Sequence, residues 1–367
     1  MSRPAALLSS RHRTITLFTL VELVLVLAVP FLAIAGYHAL LESRDGRFVD
    51  EPTAADPGWR ALVDPSPVTA VVETDRGRLT GITLLAAHVE PGTAGTAVLV
   101  PGTLQIDGVG LDEREPLDAI VALQSELRLR ISALEIMDGT RWAAALGGRT
   151  YTLDNPDPVI GDDGDALFEV GSVALPGEGA APFLGRPSPG TDPITLSFRR
   201  ELFWSALLAD PPTAADAAGA VDPLVAALAE VAGTEAGVVE LPLVALQPDP
   251  EADLVAAEEL VRAVVPVPAG ANPGDRLQVR VIDRTGAADL TAIAAEVAST
   301  GSEVVEIGNA STFDDGLTQI LVPPAVADAP GINELASLSG ATTVLDDDLD
   351  TDGVVTLVIG SDFVADQ

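Results

Sequence analysis

The chain has 367 residues, 47% of them hydrophobic, with 55 acidic against 20 basic side chains for a net charge of −35. All the basic residues are arginine, and cysteine is absent, which excludes disulfides, thiolate catalysis and thiolate metal sites. So negative a surface repels phosphate backbones, so nucleic acid is excluded as a partner. The histidines are His12, His38 and His88, too few and too scattered for a histidine-built zinc site.

Arg3, Arg11 and Arg13 precede an apolar stretch, 14–41. About 20 such residues cross a bilayer, so it predicts one transmembrane anchor, with residues 1–13 cytoplasmic and everything after 41 outside. Glu22 is read at the cytoplasmic interface, with Leu23–Leu41 as the spanning part. "AIAG" at 33–36 has the look of a signal-peptidase site, and cleavage after Ala35 is the rival reading. Residues 42–67 are rich in Asp, Pro and charge and read as a linker.

From Val68 short β-type runs follow: "VTAVVET", "ITLLAAHV", "TAVLVPG" and "LQI". Ile120, Leu123, Leu127 and Ile131 recur at helical spacing. "LEIMD", "TRWAAALGG" and "RTYTLD" read as strand, helix and strand, and 154–193 as loop. "TLSFRRELFWSALLAD" predicts a helix with Phe198, Leu202, Trp204 and Leu207 inward. Of its paired arginines, Arg199 and Arg200, one is expected to face solvent and the other to be available to an anion. Asp222-Pro223 is an N-cap and first-turn proline, "VVELPLVAL" a strand and "EADLVAAEELVRAVV" a helix. These alternate in a mixed α/β domain over 68–268. A Pro/Gly connector, 269–275, leads to a small unit, 276–363, read as β-α-β-β-α-β and expected to fold alone.

Few residues offer chemistry. In "DDDLDTDG", Asp348, Asp350, Asp352 and Gly353 match the first half of a calcium loop, but the twelfth position is Ile359. The stretch therefore reads as a solvated acidic loop, and no metal or other cofactor is assigned. Ser172, Ser188 and Ser197 have no nearby histidine to activate them. Trp142 and Trp204 read as core.

The C-terminal unit carries a resemblance. "VRVIDRTGAADLTAIAAEVASTGSEVVEIGNAS" and "VVTLVIGSDF", with Gly301, Gly360 and Asp362, resemble the C-terminal domain of the LytR-CpsA-Psr (LCP) envelope proteins. The Asn-Gly of that family is here Asp283-Arg284. Residues 68–268 then resemble the family's catalytic domain, through "ITLLAAHVEPGTAGTAVLVPG", "AALGGRTYTL" and "FRRELFWSALL". The resemblance implies transfer of a glycopolymer from a polyprenyl-diphosphate carrier to peptidoglycan, using an arginine clamp and a carboxylate-held Mg²⁺. It does not carry that site over. Pro101-Gly102-Thr103 stands where the family has Pro-Arg-Asp, and Gly81 or Ile82 where it has the metal-binding Asp. Of the later arginine pair, only Arg186 remains. The expected function is that of a membrane-anchored, non-catalytic LCP relative, binding a wall glycopolymer or polyprenyl lipid in a retained cavity or scaffolding envelope proteins. The alternatives are an active transferase using Asp107, Asp112 and Arg114, and a secreted soluble binding protein. The transcriptional role attached to the family finds no support in the charge.

Overall fold

The computed structural model describes residues 53–87, 94–187, 193–213, 222–232, 236–244, 250–329, 331–347 and 353–363. The membrane segment 14–41, His12, His38, His88, and Asp348, Asp350 and Asp352 lie outside these. Among the described residues no helix is long and apolar enough to cross a membrane.

In chain order the main elements are β1 (Arg60–Leu62), β2 (Val68–Asp75), β3 (Arg78–Ala86), β4 (Thr96–Pro101), α1 (Pro116–Leu127), β5 (Ala133–Met137), α2 (Gly139–Leu146), β6 (Thr150–Asn155), β7 (Gly171–Pro176), α3 (Ala180–Gly185), α4 (Pro193–Ala209), α5 (Pro223–Val231), β8 (Gly237–Glu240) and α6 (Leu254–Val264). The C-terminal part adds β9 (Gln278–Asp283), α7 (Leu290–Ser299), β10 (Glu303–Asn309), β11 (Gln319–Val322), α8 (Gly331–Ser339), β12 (Thr342–Leu345) and β13 (Val355–Ile359).

The first sheet runs β8-β4-β3-β2-β5. Its central strands are apolar on both faces and covered on both, as near-continuous Val/Ile/Leu runs require. Val71, Leu85 and Leu99 face Trp142, Phe183, Phe203 and Trp204. Val72, Ile82, Leu84 and Val100 face Leu123, Leu127, Val261 and Val264. Trp142 meets Phe203 edge-on at 5.1 Å, so the tryptophans belong to the core.

The structure corrects several expectations. Within 154–193, β7 pairs antiparallel with β6 from Gly171↔Asn155 to Pro176↔Thr150, burying Val173 and Leu175, and α3 buries Phe183 and Leu184. On α4 the inward stripe is Arg199, Arg200, Phe203, Trp204, Leu207 and Leu208; Phe198 is 48% exposed, a residue off that stripe. Ile131 lies beyond the end of α1, which stops at Leu127.

The C-terminal sheet runs β1-β10-β9-β13-β11-β12. It contains the expected strands and helices, plus an exposed edge strand, β12, between α8 and β13. It also takes β1 from the stretch read as a linker, paired antiparallel with β10 from Arg60↔Gly308 to Leu62↔Glu306. Buried Asn309 fastens the same stretch, its Nδ2 donating to the carbonyls of Ala54 (2.9 Å) and Asp56 (2.8 Å). The C-terminal sheet is thus not confined to 276–363, and a fragment lacking β1 would bare the edge of β10.

The family-like features have local reasons. Buried Asp283 accepts from Thr285 N (2.7 Å) and Ala288 N (3.0 Å), so a carboxylate shapes the loop where the family has Asn-Gly. A Cβ on Gly360 would lie 2.3 Å from the Gly316 carbonyl. Asp362 takes both Thr318 N and Oγ1 at 2.7 Å, and Thr318 holds its carboxyl below the usual range.

Asp222 caps α5 through Leu224 N (2.9 Å) and binds Arg141 Nη2 at 3.0 Å. Burial would push this carboxyl up, but the Arg141 and backbone hydrogen bonds outweigh it and hold it below the usual carboxylate range. Its stabilising contribution is therefore present above about pH 4 and is lost as pH falls through the lowered folded value. Asp222→Ala should cost about 2 kcal/mol at pH 7. Thermal melts from pH 7 downward check this; the difference from wild type should shrink once both states are protonated.

Candidate functional site

The turn at Pro101-Gly102-Thr103 is a structural seam. Pro101 pairs with Gly81 across β3 and β4, and a Cβ on Gly102 would fall 2.7 Å from the Thr80 carbonyl oxygen. The Gly102 carbonyl accepts from Asp112 N at 2.7 Å, tying the turn to the next loop. Thr103 is exposed. Beyond it, Asp107 and Gly108 have φ of 55° and 72°, the left-handed pair of a tight hairpin between Gln105–Ile106 and Val109–Gly110. Asp107 is therefore a turn residue, and Arg114 Nη2 donates to the Ile106 carbonyl, closing the same loop.

Behind this turn, where the resemblance would place a metal carboxylate, lies a sealed polar cluster. Glu73, Thr83, Arg200 and Trp204 are at most 2% exposed. Arg200 Nε donates to Glu73 Oε2 at 2.8 Å, Nη1 to the Val100 carbonyl at 2.9 Å and Nη2 to the Ile82 carbonyl at 2.9 Å. Glu73 Oε1 also accepts from Thr83 Oγ1 (2.8 Å) and Trp204 Nε1 (2.9 Å). Gly81 is glycine because the guanidinium lies against it: a Cβ there would sit 2.5 Å from Arg200 Cζ.

This donor set does not fit a divalent ion. Both Glu73 oxygens are engaged by donors, and the space beside Gly81 holds a cation. Asp75, at the end of β2, is likewise taken by Arg186 Nε at 2.8 Å, with Arg76 at 3.5 Å. Such an array is a fully satisfied buried network, and it offers neither a free carboxylate nor a water-accessible base.

Arg199 differs. It is 1% exposed, its centre lies 5.7 Å over the Phe183 ring, and Nη2 donates to the Arg186 carbonyl. Among the described residues its Nε and Nη1 have no hydrogen-bond partner. Burial pushes its pKa down to about 10, against the opposing charge of Asp157. Both paired arginines are thus buried, correcting the expectation that one faces solvent, and Arg199 keeps two buried donors without a partner among the described residues. The resemblance missed Glu73, Asp75 and Thr83. A carboxylate inside the apolar strand "VTAVVETD" was the available signal, since a buried charge needs a partner.

Among the described residues, part of the apolar face expected to hold a lipid tail is packed. Between Val68, Leu84 and Val98 of the sheet and Leu127, Val261 and Val264 of the helices, the void measures about 10 Å³. That is about room for one water, so these side chains, expected to line a lipid-sized cavity, pack against one another.

A three-layer α/β domain with a plugged polar centre, joined to a second sheet domain, is the class these features define. Residues 276–363 match the family model described as LytR cell envelope-related transcriptional attenuator, and are a LytR-type C-terminal domain, as the sequence implied. No curated protein matches the chain. Among solved structures the chain is similar to a LytR-Csp2A-Psr enzyme from Actinomyces oris, with 19% identity over 59% of this chain and 96% of that one (TM-score 0.42). It is similar to B. subtilis TagV, with 13% identity over 54% and 94% of the two chains (TM-score 0.40). A third is the LytR-CPS2A-psr family protein YwtF (TagT) with bound octaprenyl pyrophosphate lipid, with 14% identity over 56% and 92% (TM-score 0.36).

Proposed function

We propose that the chain is a membrane-anchored, extracytoplasmic cell-envelope protein, related to the LCP proteins, that acts without phosphotransfer. It works by binding a wall glycopolymer or polyprenyl lipid, or by scaffolding wall assembly. One observation carries the loss of chemistry: Arg200 occupies the space over Gly81 and spends its donors on Glu73 and on strand carbonyls. A group engaged inside the core cannot stabilise charge developing on a leaving phosphate. Removing a single such preorganised group costs about a hundredfold in rate or more. The packed apolar face favours recognition at the surface over enclosure of a lipid tail.

The test uses the full-length chain in detergent, incubated with Mg²⁺ and a polyprenyl-diphosphate-linked saccharide. Phosphate release should stay at background and be indifferent to Mg²⁺. Metal-dependent release comparable to that of a protein carrying Pro-Arg-Asp would restore the transferase reading, with Asp107, Asp112 and Arg114 as the residues to replace. For anchoring, the isolated protein should retain residues 14–41; a mature N-terminus at Gly36 would make it a secreted binding protein instead.

A further inference from the structure

A cleft of about 460 Å³ opens where the end of α1, α6, the 269–275 connector and the turn after α7 meet α8. That is room for a sugar-sized ligand. Arg128, Arg262 and Arg276 line it, together with Glu258, Asp275 and Glu334.

Arg276 is 6% exposed, and its partners are neutral: Nε donates to the Arg128 carbonyl (3.1 Å) and Nη1 to the Gly301 carbonyl (3.0 Å). Among the described residues no carboxylate forms an ion pair with it, although Glu258, Glu303 and Asp275 lie near enough to be felt. Burial and the neighbouring charge of Arg262 both lower its basicity. Arg262 Nη2 is shared by Glu258 (2.9 Å) and Glu334 (3.7 Å), while its Nε is buried without a hydrogen-bond partner among the described residues. Gly301, at φ +87°, lets that guanidinium lie on the turn, since a Cβ there would come within 2.9 Å of Nε. A role as a tie between α1 and the Thr300–Ser302 turn explains two of the Arg276 donors, but not why, among the described residues, its charge has no direct ion pair. In a chain of net charge −35, a buried arginine without a carboxylate partner is a conspicuous choice.

We propose that this cleft binds a small polar ligand bearing one anionic group, a sugar phosphate or a sugar carboxylate, whose charge is met by Arg276 and Arg262 with Arg128 at the rim. The flanking Glu258 and Glu334 set the wall against polyanions. The proposal is independent of how the turn at Gly102 is read, since it uses none of those residues.

The test is calorimetric titration of the full-length chain in detergent with glucose 6-phosphate, glucuronate, inorganic phosphate and glucose. At least one charged sugar should bind, and whichever binds more tightly identifies the anionic group; glucose should give no heat. Arg276→Gln and Arg262→Gln should each weaken binding by about tenfold. If Arg276→Gln lowers the melting temperature too far to be read, Arg262→Gln and the exposed Arg128→Gln carry the comparison. Absence of binding by both charged sugars to roughly 10 mM, or equal affinity in all folded variants, would overturn the proposal.

Discussion

Glu73→Ala is expected to destabilise the protein by roughly 3–5 kcal/mol, because it strands the Arg200 guanidinium without its counter-charge inside the core. Glu73 and Arg200 are 1% and 2% exposed, so bulk solvent does not screen the stranded charge. Trp204 Nε1 and Thr83 Oγ1 lose the same acceptor, which adds unsatisfied donors to the unpaired charge. Arg200→Leu should cost a comparable amount through the abandoned Glu73. The double variant Glu73→Ala with Arg200→Leu should cost much less than the sum of the two, since it leaves no buried charge. Urea unfolding of the four proteins measures the coupling. Additive costs would mean that the pair is not a unit and that the cluster is more hydrated than its burial states.

Gly102→Arg, which would rebuild the Pro-Arg-Asp pattern in part, should destabilise rather than activate. The added Cβ would lie 2.7 Å from the Thr80 oxygen and 2.8 Å from its carbonyl carbon. Both belong to the backbone of β3, paired to β4 through Gly81↔Pro101, so neither can yield without parting the strands. Overpacking of this kind costs about 1–3 kcal/mol, and a rigid backbone neighbour puts the expectation at the upper end. Gly102→Ala should show most of the same loss, because the clash is with Cβ. If Gly102→Arg melts like wild type, the turn is open, and a clamp could be restored there. A gain of Mg²⁺-dependent phosphate release in that variant would go further and reverse the non-catalytic reading.

The sequence by itself determined the alternation of strands and helices, the Asp222 cap and the C-terminal domain. Each rests on short-range signals: apolar periodicity, a capping carboxylate ahead of a proline, and glycines at places where a Cβ has no room. It also determined that the turn after β4 has no cation, because a missing side chain is visible without a fold. Only the tertiary structure decided where the remaining arginines go. Arg199 and Arg200 are adjacent in "FRREL", and nothing local says that both turn inward, since an arginine is buried only where the sheet supplies partners. The partners of Arg200 lie 127 residues away at Glu73 and 118 away at Ile82. In the same way β1 reads as charged linker, and becomes a strand because β10 offers it an unpaired edge. The cleft around Arg276 could not be read at all, since its walls come from segments far apart in sequence that only the packing of one domain on the other brings together.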